Sequence, residues 1–409
     1  MTRTQHLIKQ ARVKFIPDGW KISQIGKSCC IRNDLRKPIS VEERSSIKGD
    51  FPYYGPTGIL DYIDEYLLDG EFALIGEDGD HFLKPAEKSQ TIFAKDKFNV
   101  NNHAHVISAT KVCSAQWFAT FFKHRNITDF LSRQGANRYK LNKATLEKIP
   151  ILLPPPAEQK AISDLLSTWD KAIEKTERLI QVKEANLKGQ IQRIMGKEAI
   201  DANGWSMVHL GELFSEVTRK VGEKELTPYS ISAGIGFVSQ REKWGKDISG
   251  SQHKNYTHLK AGEFSYNKGN SKRYQQGCVY LLKDGQICVP NVFISFKPKA
   301  KNVVPEFFEH YFIADYHARE LKRYITSGAR SDGLLNLNKK DFFKIMVPCP
   351  SPDEQKFIAE TLTASQQEIN LLKQLVDKYK TQKRGLMQKM LTGEWRVKPE
   401  VVKIFEVNC

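Results

Sequence analysis

The chain has 409 residues, is 40% hydrophobic and 10% aromatic, and carries 63 lysines and arginines against 47 acids, a net charge of +16. That length predicts two or more domains with ordinary cores, and the positive excess points to a polyanion such as nucleic acid, a merely soluble basic protein being the other reading. Met1-Thr2-Arg3-Thr4-Gln5-His6 leads into no apolar core of signal-peptide length and no run of 18 apolar residues occurs, so no membrane role and a cytoplasmic location are expected; seven scattered cysteines without a Cys-x-x-Cys pair indicate neither a zinc site nor a disulfide framework.

The first globular unit opens at Gly19-Trp20-Lys21-Ile22. Gly26-Lys27-Ser28 has the letters of a phosphate loop, but six residues rather than four separate Gly19 from Gly26, so nucleotide binding is not expected. Phe51 to Ile63 mixes glycine, proline and β-prone residues, the pattern of strands and tight turns. Glu71 to Asp80 reads as a strand entering an acidic turn, where Glu77, Asp78 and Asp80 serve turn chemistry better than a metal. His103 and His105 lie on one side of a further strand; lacking a third ligand at suitable spacing, they read as structural. The unit closes with Arg133-Gln134-Gly135-Ala136-Asn137-Arg138-Tyr139-Lys140. Cations and amides in a glycine-containing loop suit phosphates and base edges, and the same residues suit a solvated loop equally well. Arg133, Gln134, Asn137, Arg138 and Lys140 are the candidate DNA contacts here.

Pro154-Pro155-Pro156-Ala157-Glu158-Gln159-Lys160 then starts a proline-free run to Met195. Ile162, Leu165, Trp169, Ile173, Thr176, Ile180, Leu187, Ile191 and Ile194 recur at steps of three and four, with Lys183 in the one polar place. This predicts an amphipathic helix with a narrow coiled-coil seam, a rod of roughly 57 Å. The stretch occurs twice: Pro350-Ser351-Pro352-Asp353-Glu354-Gln355-Lys356 begins a second run to Leu391, 196 positions on from Glu158 to Glu354. Two rods of equal length, each with one stripe to bury, are expected to pair.

Between the rods the plan repeats with different content. Gly204-Trp205 matches Gly19-Trp20, and Ser327-Gly328-Ala329-Arg330 resembles Gln134-Gly135-Ala136-Asn137. Tyr266-Asn267-Lys268-Gly269-Asn270-Ser271-Lys272-Arg273-Tyr274 occurs only in the second unit. Its mixture of cations, amides and aromatics favours DNA contact over a solvated hairpin, making Asn267, Lys268, Lys272, Arg273, Tyr274 and Arg330 the second candidate set. Gln286 to Phe296 reads as a core strand pair, and Val397 to Cys409 as a loosely held tail. The expected boundaries are unit one at 1–153, rod one at 154–197, unit two at 198–348, rod two at 349–392 and a tail at 393–409. Two unlike units on a rigid spacer would read two different short sequences separated by unread bases.

The twin Pro-x-Pro-x-Glu-Gln-Lys rods, Tyr53-Tyr54-Gly55 through Ile63-Asp64, Glu71 to Gly79, Asn101 to Val106 and Gly385 to Gly393 together resemble the specificity subunit of type I restriction-modification systems over nearly the whole chain. The resemblance implies an α+β chain: two mostly β target recognition domains, joined by two long helices that form an antiparallel coiled coil with a pseudo-twofold repeat. It implies a non-catalytic protein that binds double-stranded DNA at a bipartite asymmetric site. Two methylation subunits, using S-adenosylmethionine on adenine, and ATP- and magnesium-dependent restriction subunits would supply the chemistry, this chain holding no cofactor. Consistent with that, no Asn-Pro-Pro-Tyr or Asp-Pro-Pro-Tyr motif occurs, and the carboxylates of Pro352-Asp353-Glu354-Gln355-Lys356 sit where they serve a helix start. The rival readings are a stand-alone enzyme that cuts or modifies DNA, and a coiled-coil scaffold that binds none. Pro348-Cys349-Pro350-Ser351-Pro352 departs from the family's usual apolar corner.

Overall fold

The structure is a computed structural model that describes residues 2–134, 138–246, 248–269, 271–325 and 334–406, with the backbone alone at Gln134, Arg138 and Ser251. The chain forms two compact units, residues 1–176 with 375–409 and residues 177–374. The division falls inside the two long helices, Pro156–Met195 and Pro352–Met390, and not at their ends as the sequence boundaries would have it. Both helices begin on a proline, whose missing N–H costs nothing in the first turn.

In the first unit, strand Lys21–Gln24 pairs antiparallel with Pro150–Leu153 and so returns the chain to its entry point just before the long helix. Between them lie two four-stranded sheets. One is ordered Cys30–Ile31, Ala104–Ser108, Phe72–Gly76, Thr91–Ala94; the other Ile59–Ile63, Lys48–Tyr54, Lys97–Val100, Leu68–Asp69. Helix Ala115–Phe122, capped by Ser114, covers the first sheet and buries Trp117, Phe118, Phe121 and Phe122. The same core takes in Ile162 and Leu166 from the first long helix and Met387, Met390 and Leu391 from the end of the second. The Trp169 and Tyr379 rings meet at 5.6 Å, and Asp170 pairs with Lys383. Residue numbers therefore rise along one helix as they fall along the other, an antiparallel pair.

The second unit repeats the closure with Ser206–His209 against Met346–Cys349. Its four-stranded sheet runs Phe214–Glu216, Ile294–Pro298, Phe264–Asn267, Cys278–Leu281. Helix Pro305–Ile313 lies on it, and the rings of Phe214, Phe264, Phe296, Phe308 and Phe312 interlock between 5.0 and 6.4 Å apart. The expected strand pair within Gln286 to Phe296 resolves into two strands with other partners. Gln286–Val289 pairs with Thr257–Lys260, and Ile294–Pro298 with Phe264–Asn267 and Phe214–Glu216. Across the helices of this unit, Lys183 reaches Glu368 at 2.8 Å and Lys373 reaches Glu184 at 2.7 Å.

The seam is corrected at one matched place. Leu165 and Thr361 point to solvent, whereas Leu166 and Leu362 are fully buried. There each helix packs on its own globular portion, and the step from Ile162 to Leu166 and from Ile358 to Leu362 keeps that face inward. Lys383, on the second long helix, is buried beside Asp170, which also accepts from Lys123 at 3.0 Å. Burial pushes the Asp170 carboxyl up, but the two ammonium groups outweigh it and hold it below its ordinary value.

The Glu-Gln pair explains why the motif is repeated. Gln159 is fully buried, accepts from Ser114 N at 3.0 Å and donates to Val112 O and Pro154 O. Gln355 does the same job, accepting from Val304 N at 2.9 Å and donating to Pro350 O at 2.9 Å. Glu158 accepts from Trp20 Nε1 at 3.0 Å, and Glu354 from Trp205 Nε1 at 3.4 Å. The difference lies in the cation. Arg396 clamps Glu158 through two N–H groups at 2.6 and 2.7 Å and lies over the Trp20 ring, while Glu354 instead caps Ser351. The chain thus has a fixed point at Arg396, just ahead of the expected loose tail; Val397 packs on the first core, and an amphipathic helix Pro399–Glu406 follows in which no residue is fully buried.

Glu158→Ala leaves the Trp20 N–H without its acceptor and releases the partly exposed Arg396, and should destabilise the first unit by about 2 kcal/mol. Glu354→Ala loses mainly a capping interaction and should cost about 1 kcal/mol. Urea unfolding of the two full-length variants measures both; equal losses would show that the Arg396 clamp contributes nothing.

Candidate nucleic-acid interface

In the first unit the strand Phe72–Gly76 ends in the acidic turn, and the hairpin Ser132–Gln134 with Arg138–Lys140 lies beside it. Leu141 N donates to Glu77 O at 2.7 Å, and Gly79 N to Tyr139 O at 3.4 Å. Each carboxylate of the turn meets a basic side chain from elsewhere: Glu77 takes Arg36 at 2.7 Å and Lys140 at 3.1 Å, Asp78 takes His103 at 3.0 Å, and Asp80 takes Lys88 at 3.3 Å. Burial raises the Glu77 carboxyl, but Arg36 and Lys140 more than reverse it, leaving it below its ordinary value. His105 is buried and uses both ring nitrogens: Nε2 donates to Leu141 O at 2.7 Å, so Nδ1 accepts from Asn33 Nδ2 at 2.9 Å. Burial keeps it neutral by lowering its pKa.

This geometry sorts the first candidate set. Arg133 is exposed on the hairpin, opposite Tyr139. Lys140 pairs with Glu77 and so ties the hairpin to the acidic turn, its side chain staying about one third exposed at 35%. Gln134 and Arg138 face each other in the strand register, and Asn137 lies outside the described residues.

In the second unit, Phe264–Asn267 leads into the basic loop, which an isolated bridge from Gly269 to Leu334 and a bond from Leu335 N to Lys268 O fasten to a returning segment. Asn267 is framework: Nδ2 donates to Ile231 O at 3.1 Å while Oδ1 accepts from Gly269 N at 2.9 Å. Tyr274 is corrected from contact to support. Its ring is 2% exposed within the core and its hydroxyl donates to Ile313 O at 3.2 Å, so it has no face left for a base. Its backbone N–H donates to Ser271 Oγ at 3.1 Å, closing the turn that carries Lys272 and Arg273 outward. Arg273 stacks on the Tyr274 ring at 5.4 Å. Lys268 Nζ lies 3.5 Å from Leu337 O, and Arg330 falls outside the described residues.

Two groups near this loop have no sequence signal of their own. Asp315 is raised to about 6 by burial, partly offset by Arg273, and His317 Nδ1 lies 3.9 Å from its carboxylate. His317 is wholly buried, neither ring nitrogen has a hydrogen-bond partner among the described residues, and burial lowers its pKa to about 3. Their own burial in the fold, and not any motif, makes these residues visible.

Two copies of the model for the type I restriction modification DNA specificity domain match residues 17–184 and 203–379, so the chain belongs to that family. A chain of Haemophilus influenzae assigned as a type I restriction enzyme specificity subunit is 38% identical over 136 residues, covering 33% of this chain and 34% of its own length. A Methanocaldococcus jannaschii chain assigned as the MjaX specificity subunit is 26% identical over 290 residues, 68% of this chain and 66% of its own. The matches thus span about a third and just under two thirds of these relatives. The crystal structure of the S subunit of a type I restriction-modification system from M. genitalium superposes with a TM-score of 0.63 at 15% identity, over 92% of this chain and 96% of that one, and so shares the fold. Among the described residues no helix is long and apolar enough to cross a membrane.

A histidine kept neutral in the fold binds its proton only on unfolding, so its contribution is complete above about pH 6.5 and is lost as pH falls toward 3. Replacing His317 by Phe removes that loss. The gain in stability of the variant over the parent should be about 2 kcal/mol larger at pH 5 than at pH 8. Urea midpoints at the two pH values check it, and a gain independent of pH would contradict the buried neutral state.

Proposed function

We propose that this chain is the DNA-recognising subunit of a type I restriction-modification complex, each unit reading one half of a split, asymmetric site. The observation that carries this is the repeat itself: two unlike globular portions, each fixed by the same Glu-Gln anchor to a long helix, and each matched by the DNA specificity model. Basic residues on exposed turns, Arg133 in one unit and Lys272 and Arg273 in the other, supply phosphate and base-edge contacts. Methylation subunits bring S-adenosylmethionine and act on adenine, and restriction subunits bring ATP and magnesium, in the cytoplasm. This reading is favoured over a self-sufficient DNA-cleaving or DNA-modifying enzyme by the family to which both halves belong.

The purified chain alone should neither cut nor methylate DNA, and with a methylation subunit it should direct adenine methylation to a split site. Activity of the highly purified lone chain would end this reading. Lys272→Ala should weaken binding to all sequences and flatten the salt dependence if it meets a phosphate, or relax one base position by about 1–3 kcal/mol if it meets a base edge. Unchanged affinity on replacing Lys268, Lys272 and Arg273 one at a time would remove the loop from the interface.

The paired helices act as the ruler in this proposal. Four residues inserted near Glu184 add one turn, about 6 Å, and keep the apolar stripe nearly in phase. With base pairs about 3.4 Å apart, the spacer can grow by at most about two. Two inserted residues rotate the stripe by roughly 200° and should break the pairing. Methylation mapping should show the same half-sites with a longer spacer for the four-residue variant; an active variant with the original spacer would refute the ruler.

A further inference from the structure

We infer that the apex of the hairpin Tyr229–Ser232 with Gly236–Ser239 belongs to the DNA-reading surface of the second unit, with Ile235 as a specificity-determining residue that contacts the methyl group of a thymine in the major groove. This rests on the proposed function and names a reading residue for it.

Ile235 is 76% exposed, the most exposed large apolar side chain among the described residues. A lone exposed apolar residue is ordinary by itself. What sets this one apart is where it stands and how firmly. It follows Gly234 at φ +82° and precedes Gly236 at φ +106°, and its N–H donates to Ser232 O, so the apex is a tight turn that fixes the side chain outward. The central positions of the turn are Ala233 and Gly234, and Ile235 closes it as the fourth residue without a positive φ, a place where turn chemistry neither demands nor forbids a branched apolar side chain.

The apex is also tied to the basic loop. Gly234 N donates to Tyr280 Oη at 2.7 Å, and Asn267, which opens the loop, donates to Ile231 O. A side chain at Gly234 would lie 3.2 Å from Arg273 Nη1, so the guanidinium packs directly against the turn that carries Ile235. Ile231 is buried in the core beneath, as is the Tyr274 ring on which Arg273 stacks. The surface therefore presents a branched apolar side chain one residue from an oriented guanidinium, on a backbone pinned at both sides. In the major groove that pair matches a thymine C5-methyl beside a guanine edge or a phosphate; the minor groove offers no methyl group.

The test uses the full chain assembled with its methylation subunit. The half-sites are first found by mapping methylated adenines on random-sequence DNA. Synthetic duplexes are then made in which each thymine of the site is replaced in turn by deoxyuracil, which lacks only the methyl group, and equilibrium binding is measured. The parent should lose about fivefold at one thymine of one half-site. Ile235→Ala should lose about as much on the thymine duplex and be indifferent to uracil there, whereas Ile235→Val should keep most of the discrimination. Binding by Ile235→Ala equal to that of the parent, a loss that is the same on both duplexes, or parent discrimination absent at every thymine would overturn the inference. An assembled parent that selects no split site would instead overturn the proposed function itself, so the two failures are distinguishable.

Discussion

Everything in this structure depends on one pair of buried amides. Gln159 and Gln355 sit in the first turns of the long helices, and each accepts a backbone N–H from the loop before the covering helix while donating to the proline carbonyl at its own helix start. An uncharged amide offers a donor and an acceptor on separate atoms at the end of one side chain, and leaving either group unpaired in the core costs about 1–3 kcal/mol, more than the net contribution of the bond itself. The adjoining glutamates take the indole N–H of Trp20 and Trp205, and those rings meet Trp117 and Phe307 at 6.0 and 6.1 Å. The result is a socket that fixes each helix to its globular portion and leaves the rest of that portion free to vary.

In the proposed function, that separation of duties lets the chain carry two specificities on one plan. The socket, the closing strand pairs and the covering helices recur in both units. The elements away from the socket do not. The first unit presents a hairpin tied to Glu77, the second a loop propped by Tyr274 and braced by Asn267. Loops held on a rigid frame are where recognition diverges at least cost to stability.

The frame was legible in the sequence because it is built from spaced, repeated chemistry: proline at a helix start, three- and four-residue steps, and an identical motif 196 positions apart. The helix ends came within a residue or two. Leu165 was misread for Leu166 because periodicity reports a stripe and not which neighbour covers it. The candidate interface was less legible. Tyr274 has the composition of a contact residue, yet it is buried and a carbonyl 39 positions away claims its hydroxyl, as only the fold can tell. The Arg396 clamp was hidden for the same reason, since its partner Glu158 lies 238 positions earlier.

The central claim is that each globular portion, between its closing strands, carries one half-site by itself. The most direct measurement replaces residues 206–349 by a second copy of residues 21–153, exchanging matched strand-paired ends, and maps adenine methylation by the assembled complex. The account predicts a symmetric site made of two copies of the half-site read by the first unit. A folded, assembled protein that still methylates the original asymmetric site would contradict it.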